Sequence, residues 1–273
     1  MSELFKAIFF GIIEGITEWL PISSTGHLIL FNEFIHLDVS ESFFSMFEVV
    51  IQLGAIFAVV LLFFKEIWPF SAKEKYYVKQ DTFIMWFKIM LACVPAAVVE
   101  LAFGDEIEEL FYNYVVIALA LVIFGIAFIF IENRNHRRRP KMNEIADISW
   151  STAFWIGMFQ LIAAVFPGTS RSGATILGGI LLGVSRAAAA EFTFFLAIPV
   201  MFGASLMKIL RFGFVFSSSE LIILLAGMVT AFLVSIVVIR FLMGYIKKHD
   251  FKIFGWYRIV LGVLVLCYFT FLT

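Results

Sequence analysis

Residues 11–28 read G-I-I-E-G-I-T-E-W-L-P-I-S-S-T-G-H-L, and residues 157–174 read G-M-F-Q-L-I-A-A-V-F-P-G-T-S-R-S-G-A. Laid over one another, Gly11 falls on Gly157, Glu14 on Gln160, Pro21 on Pro167 and Ser24 on Ser170. Each copy is an apolar helical run stopped by proline, then a turn of small hydroxyl residues and glycine. The surrounding chain is 62% hydrophobic, with 35 phenylalanines in 273 residues, and its mean hydropathy is +0.99. A soluble domain is nearer half apolar, so the class is an all-α polytopic membrane protein. Irregular backbone at membrane depth is tolerated where it lines a polar cavity, which makes the repeated turn the candidate site.

Outside the two motifs, uninterrupted apolar runs lie near 43–64, 83–103, 112–131, 188–210, 220–243 and 253–272. Each is close to the ~20 residues that cross a bilayer. The motif regions differ. Residues 4–20 and 28–37 flank the first turn, and 149–166 and 174–184 flank the second. The second arm of each is too short to span, so both read as re-entrant helical hairpins.

The order is hairpin and three spans, then the same again. Three crossings is an odd number, so the second copy is inverted relative to the first and the hairpins enter from opposite faces to meet at mid-membrane. The chain is one transmembrane domain, 1–273, with inverted-topology repeats 1–131 and 149–273 joined by the basic loop 132–148. Glu48, early in the span after hairpin one, is echoed by Glu191 after hairpin two.

A net charge of −1 gives no case for nucleic-acid binding. The basic residues cluster: Lys65, Lys73, Lys75 and Lys79, then Arg134, Arg137, Arg138, Arg139 and Lys141, then Lys247, Lys248 and Lys252. The opposite connectors carry Arg211 and the acidic run Asp105, Glu106, Glu108, Glu109. The positive-inside rule therefore makes the basic loops cytoplasmic and puts both termini outside. Cys93 and Cys267, both in apolar runs, read as small core residues. The first segment carries Glu14 and Glu18 into the motif and reads as part of the fold, not as a cleavable leader.

Glu14 and Glu18 are four apart and share one face of the helix leading to Pro21. Two intramembrane carboxylates are costly unless paired, metal-bound or hydrated, so they can hold a divalent cation or accept a proton. Ser24, Thr25, Gly26 and His27 follow, supplying a hydroxyl nucleophile, an open approach and a base. The second turn offers Gly168, Thr169, Ser170, Arg171, Ser172, Gly173 and Thr175. A guanidinium fork and the N–H groups opening a helix are equipment for a phosphate. Arg171 at membrane depth costs on the order of 2.5–3.5 kcal/mol without an anionic partner, which a phosphate or the facing carboxylates would offset. In the overlay, copy two has Gln160, Ala164 and Gly173 where copy one has Glu14, Glu18 and His27, and Arg171 where it has Thr25. One turn is built for reaction and cation, the other for anion binding. Glu48 and Gln52, four apart on one helix face, are further candidates; Glu48 is a candidate partner for His27 or Arg171, or a helix-end glutamate facing water.

The motifs E-x-x-x-E with P-x-S-S-T-G-H, P-G-x-S-R-S-G-A-T and E-V-V-I-Q-L-G at 48–54 resemble those of the bacitracin-resistance-type undecaprenyl-pyrophosphate phosphatases, over essentially the whole chain and without departure at the motif positions. The resemblance implies hydrolysis of undecaprenyl pyrophosphate to the monophosphate carrier of cell-wall synthesis, in the bacterial cytoplasmic membrane. It also implies a divalent cation (Mg²⁺ or Ca²⁺) and a site open to the outer face. It matches Glu14 and Glu18 to the family's acidic motif, Ser24 and His27 to its serine and histidine, and Arg171 to its phosphate-binding arginine. Ser24 attacking phosphorus with Glu18 or His27 moving protons, and His27 as the nucleophile, both remain open. A carrier for an isoprenyl phosphate or another anion is the alternative, since inverted repeats serve carriers too. The oligomeric state is open, a homodimer included.

Overall fold

The computed structural model describes residues 2–71, 77–135 and 138–271; Lys73, Lys75 and Arg137 of the basic connectors lie outside the described residues. Its elements are helices: α1 Glu3–Thr17, α2 Ser24–Asn32, α3 Glu41–Leu62, the one-turn α4 Phe64–Ile67, α5 Gln80–Phe111 and α6 Tyr114–Asn135. After a short 3₁₀ turn come α7 Trp150–Val165, α8 Arg171–Leu181, α9 Arg186–Phe212, α10 Ser218–Tyr245 and α11 Lys252–Phe271. Serines at the N-caps of α3, α7, α9 and α10 (Ser40, Ser149, Ser185, Ser217) each accept a bond from the backbone N–H three residues on. Those caps satisfy donors that a membrane interface would otherwise leave open.

Among the described residues, six helices are long and apolar enough to cross a membrane: α3, α5, α6, α9, α10 and α11. The helices of the two hairpins are not. At 1.5 Å per residue, α2 and α8 reach only about 14 and 16 Å, half the hydrocarbon thickness. The chain is a multi-pass membrane protein with two broken segments, as the hydropathy pattern predicts.

The repeats interlock. α1 packs on α10 of the second repeat, and α7 packs on α5 of the first. A Cβ on Gly11 would strike the carbonyl oxygen of Gly227, and one on Gly157 that of Ala92. Glycine at both places is what lets each hairpin lie flush on the other repeat. α6 and α11 pair along their length, and α3 contacts both α9 and α10.

Two expectations change. Helix α5 continues to Phe111, so Asp105, Glu106, Glu108 and Glu109 stand on a helix end and not in a connector. Cys267 is exposed on the outer surface of the bundle, while Cys93 is partly buried; both thiols are free.

Candidate active site

The two short arms begin alike. Ser23 caps α2 and Ser170 caps α8, both with positive φ, 75° and 69°, a conformation few non-glycine residues adopt. Ser23 Oγ accepts the Gly26 N–H at 3.3 Å, and Ser170 Oγ accepts the Gly173 N–H at 3.1 Å. These matched caps set the true register of the repeat, one residue off the sequence overlay. Ser170 is the counterpart of Ser23, not Ser24. The extra residue is Gly168, at φ +89°, where a Cβ would stand 2.6 Å from the Ile117 carbonyl oxygen. Ser24 and Arg171 therefore share the first helical position. Arg171 replaces Ser24 and not Thr25, and Ala174, not Gly173, stands where copy one has His27.

The turns meet at Glu18. Ser24 Oγ donates to Glu18 Oε2 at 2.8 Å, and the Arg171 guanidinium donates to Oε1 at 2.8 Å. Ser172 Oγ donates to the Glu18 carbonyl at 2.9 Å. Arg171 also donates to the Thr193 carbonyl at 3.1 Å. Thr193 Oγ1 donates to Thr175 Oγ1 at 2.8 Å, which in turn donates to the Arg171 carbonyl at 2.9 Å. The expected offset of Arg171 by a facing carboxylate is thus supplied by Glu18, buried to 7% exposure of its side chain.

Seven of the nine buried side-chain atoms without a hydrogen-bond partner belong to the two hairpins, among the described residues. They include both oxygens of Glu14, Arg171 Nε, the Thr169 hydroxyl and the amide of Gln160. Such orphans are rare in folded proteins and call for a reason. Glu14 is fully buried, one helical turn before Glu18 and within electrostatic reach of Glu48 and Arg171.

His27 is not bonded to Ser24. Its Nδ1 lies 2.7 Å from the Ser23 carbonyl, and its Nε2 lies 2.6 Å from the Tyr257 hydroxyl. A carbonyl only accepts, so Nδ1 carries the proton and Nε2 accepts from Tyr257. The two rings lie parallel, 5.6 Å apart. The group facing the Ser24 hydroxyl is the Glu18 carboxylate.

Arg258 is a residue the hydropathy reading passes over, hidden in the run 253–272. It is fully buried and donates to the carbonyls of Pro21 (3.2 Å), Gly168 (3.0 Å) and Thr169 (2.7 Å). One guanidinium thus ties both turns together. Its signal in the sequence is an ionisable residue inside a membrane span, which needs a partner wherever it occurs. Tyr257, its neighbour, carries no such signal.

Glu48 and Gln52 line a cavity of about 260 Å³ whose floor includes Thr25 of one turn and Pro167 of the other. Lys208 lies in the same wall and donates to Ser45 Oγ at 3.0 Å. Glu48 bonds neither His27 nor Arg171, so its expected pairing with them does not form. It lines the cavity beside Thr25 and Pro167.

Among the described residues, no three His, Cys, Asp or Glu side chains converge on a ready-made metal centre. Glu18 is already engaged, whereas Glu14 keeps both oxygens unpaired beside it. That donor set fits a hard divalent cation that completes its shell with phosphate oxygens and water.

The chain matches the family model described as Bacitracin resistance protein BacA over residues 7–264. It is 65% identical over 270 residues to an undecaprenyl-diphosphatase of Desulfitobacterium hafniense, covering 99% of this chain and 97% of that protein. It is 61% identical to one of Lachnoclostridium phytofermentans, covering 98% and 97%. One from Enterococcus faecalis is 55% identical over 99% of both chains.

Proposed function

Because the chain belongs to the bacitracin resistance protein BacA family, we propose how its two turns hydrolyse undecaprenyl pyrophosphate to undecaprenyl phosphate and inorganic phosphate. The enzyme is an undecaprenyl-diphosphatase of the bacterial membrane. The observation that carries the mechanism is the Ser24 hydroxyl on one oxygen of Glu18 and the Arg171 guanidinium on the other.

Ser24 Oγ attacks the terminal phosphorus as its proton passes to Glu18. The anhydride P–O bond breaks and the lipid monophosphate leaves with its electron pair. The proton on Glu18 passes to solvent; water then attacks the phosphoserine as Glu18 takes one of its protons. Glu18 returns that proton to Ser24 Oγ as the P–Oγ bond breaks and inorganic phosphate departs. Arg171, through its unpartnered Nε, and the N–H groups opening α8 hold the transferred group and stabilise its charge. Thr169, Ser170, Ser172 and Thr175 supply the hydroxyls of that turn, with Gly168 letting it pack on Ile117 and Gly173 letting Arg258 approach. Thr25 and Gly26 leave the approach to phosphorus free. Glu14 with Glu18 would hold a divalent cation (Mg²⁺ or Ca²⁺), which when bound neutralises phosphate charge. His27, held at both nitrogens, keeps the Ser23 turn in shape and is not the nucleophile.

The cavity lined by Glu48 and Gln52 opens toward the face that bears the start of α1. With the basic connectors cytoplasmic, that face is the outer one and the lipid enters from there. Every residue in the scheme comes from one chain, so a homodimer would not be needed to complete the site. The carrier reading lacks support, since the similar proteins bear the diphosphatase name. Phosphate release from an isoprenyl pyrophosphate by purified protein, with and without chelator, tests the proposal. Release that survives both Arg171→Ala and Glu18→Ala would defeat it.

A further inference from the structure

A second cavity, about 340 Å³, lies at the far end of α8 from Arg171. The 11 residues of that helix put about 16 Å between the two. One wall is formed by residues 138–141, and the backbone at Lys141 and Met142 is tied to the loop after α8. The N–H groups of Lys141 and Met142 both donate to the Gly183 carbonyl (2.8 and 3.2 Å), and the Ser185 N–H donates to the Met142 carbonyl (2.8 Å).

Arg138, Arg139, Lys141 and Arg186 line this cavity. Arg186 is neutralised by the buried carboxylate of Glu132. The other three have no carboxylate within ion-pair distance among the described residues. Nor do they cap α8. The Gly178 carbonyl takes the Leu182 N–H, Gly179 takes Val184, and Ile180 takes both Gly183 and the Asn135 amide. The positive-inside rule accounts for cations in this connector, but not for their gathering around a walled hollow with backbone-fixed geometry.

We propose that this cavity binds a phosphate group, presented by the headgroup of an anionic lipid, at a site separate from the one that hydrolyses. Ile180 and Ile246 give it an apolar floor, and Leu181 beside them is 41% exposed, a place for the first carbons of an acyl chain. Cationic pockets between helices at a membrane surface suit such headgroups. The inference does not depend on the hydrolytic mechanism.

The test titrates phosphatidylglycerol, and separately inorganic phosphate, onto purified protein and onto the triple variant R138Q/R139Q/K141Q, counting bound molecules by native mass spectrometry. These side chains are exposed, so the variant folds, and retained hydrolysis by the untouched Glu18–Arg171 site verifies it. Phosphatidylglycerol affinity should fall about a hundredfold in the triple variant and by a smaller factor in R138Q/R139Q. A drop confined to inorganic phosphate would keep the phosphate site and remove the lipid as its source. Equal affinities of wild type and both variants for both probes would overturn the proposal.

Discussion

Ser24 and Arg171 occupy the same position of the inverted repeat, the first residue of a short helix behind a positive-φ serine, and they grip opposite oxygens of Glu18. The pseudo-symmetry of the fold thus delivers a hydroxyl and a guanidinium to one carboxylate from two sides. One replacement at one position puts a hydroxyl on one side of Glu18 and a cation on the other.

Glu18→Gln keeps the size of the side chain but removes the proton acceptor at Ser24 and the charge facing Arg171. Turnover should fall by roughly 10²–10⁴-fold, with thermal stability reduced as well because Arg171 is left unpaired in a mostly buried site. Steady-state rates and a melting curve on the same preparation check both.

Arg171→Lys should not be tolerated. Lysine offers a point charge that cannot reach Glu18, the Thr193 carbonyl and a phosphate together. Turnover should drop by about 10²-fold or more, measured with a soluble short-chain isoprenyl pyrophosphate.

Tyr257→Phe removes only the hydroxyl on His27 Nε2. A single neutral hydrogen bond contributes about 0.5–1.5 kcal/mol, so turnover should fall no more than about tenfold. A loss as deep as that of Glu18→Gln would place His27 in the chemistry itself.

Arg258→Met leaves three carbonyls of the two turns without their donor. Unfolding should become easier by about 3 kcal/mol or more, read by denaturation in detergent. Gly168→Ala meets both a positive φ and the Ile117 carbonyl, and should cost about 1–3 kcal/mol in the same assay.

Much of this was legible in the residues. Proline and hydroxyl groups inside apolar runs mark broken helices, and arms of about ten residues cannot span, so two facing hairpins follow from hydropathy and length. Charge balance alone predicts that Arg171 needs an anion, and Glu18 supplies it. The register of the turns was not legible. Serine at positive φ has no compositional mark, and overlaying Ser24 on Ser170 looks natural until the caps reveal Gly168 as an insertion. Arg258 is lost when a span is judged by its average, because its many apolar neighbours outweigh one guanidinium. His27 stands close to Ser24 in the chain, yet the helix turns its ring to Tyr257, from a span 230 residues away.

In the proposed reaction Ser24 is the nucleophile and Glu18 its base. Both roles are read most directly by mixing enzyme with an isoprenyl pyrophosphate labelled on its terminal phosphate, quenching matched samples within milliseconds in acid, where phosphoserine survives, and in alkali, where phosphohistidine survives, and mapping the label by peptide mass spectrometry. An acid-stable phosphate on Ser24, absent from Ser24→Ala and strongly reduced in Glu18→Gln, is the expected result. Label on His27, or an adduct that still forms in Ser24→Ala, would contradict it.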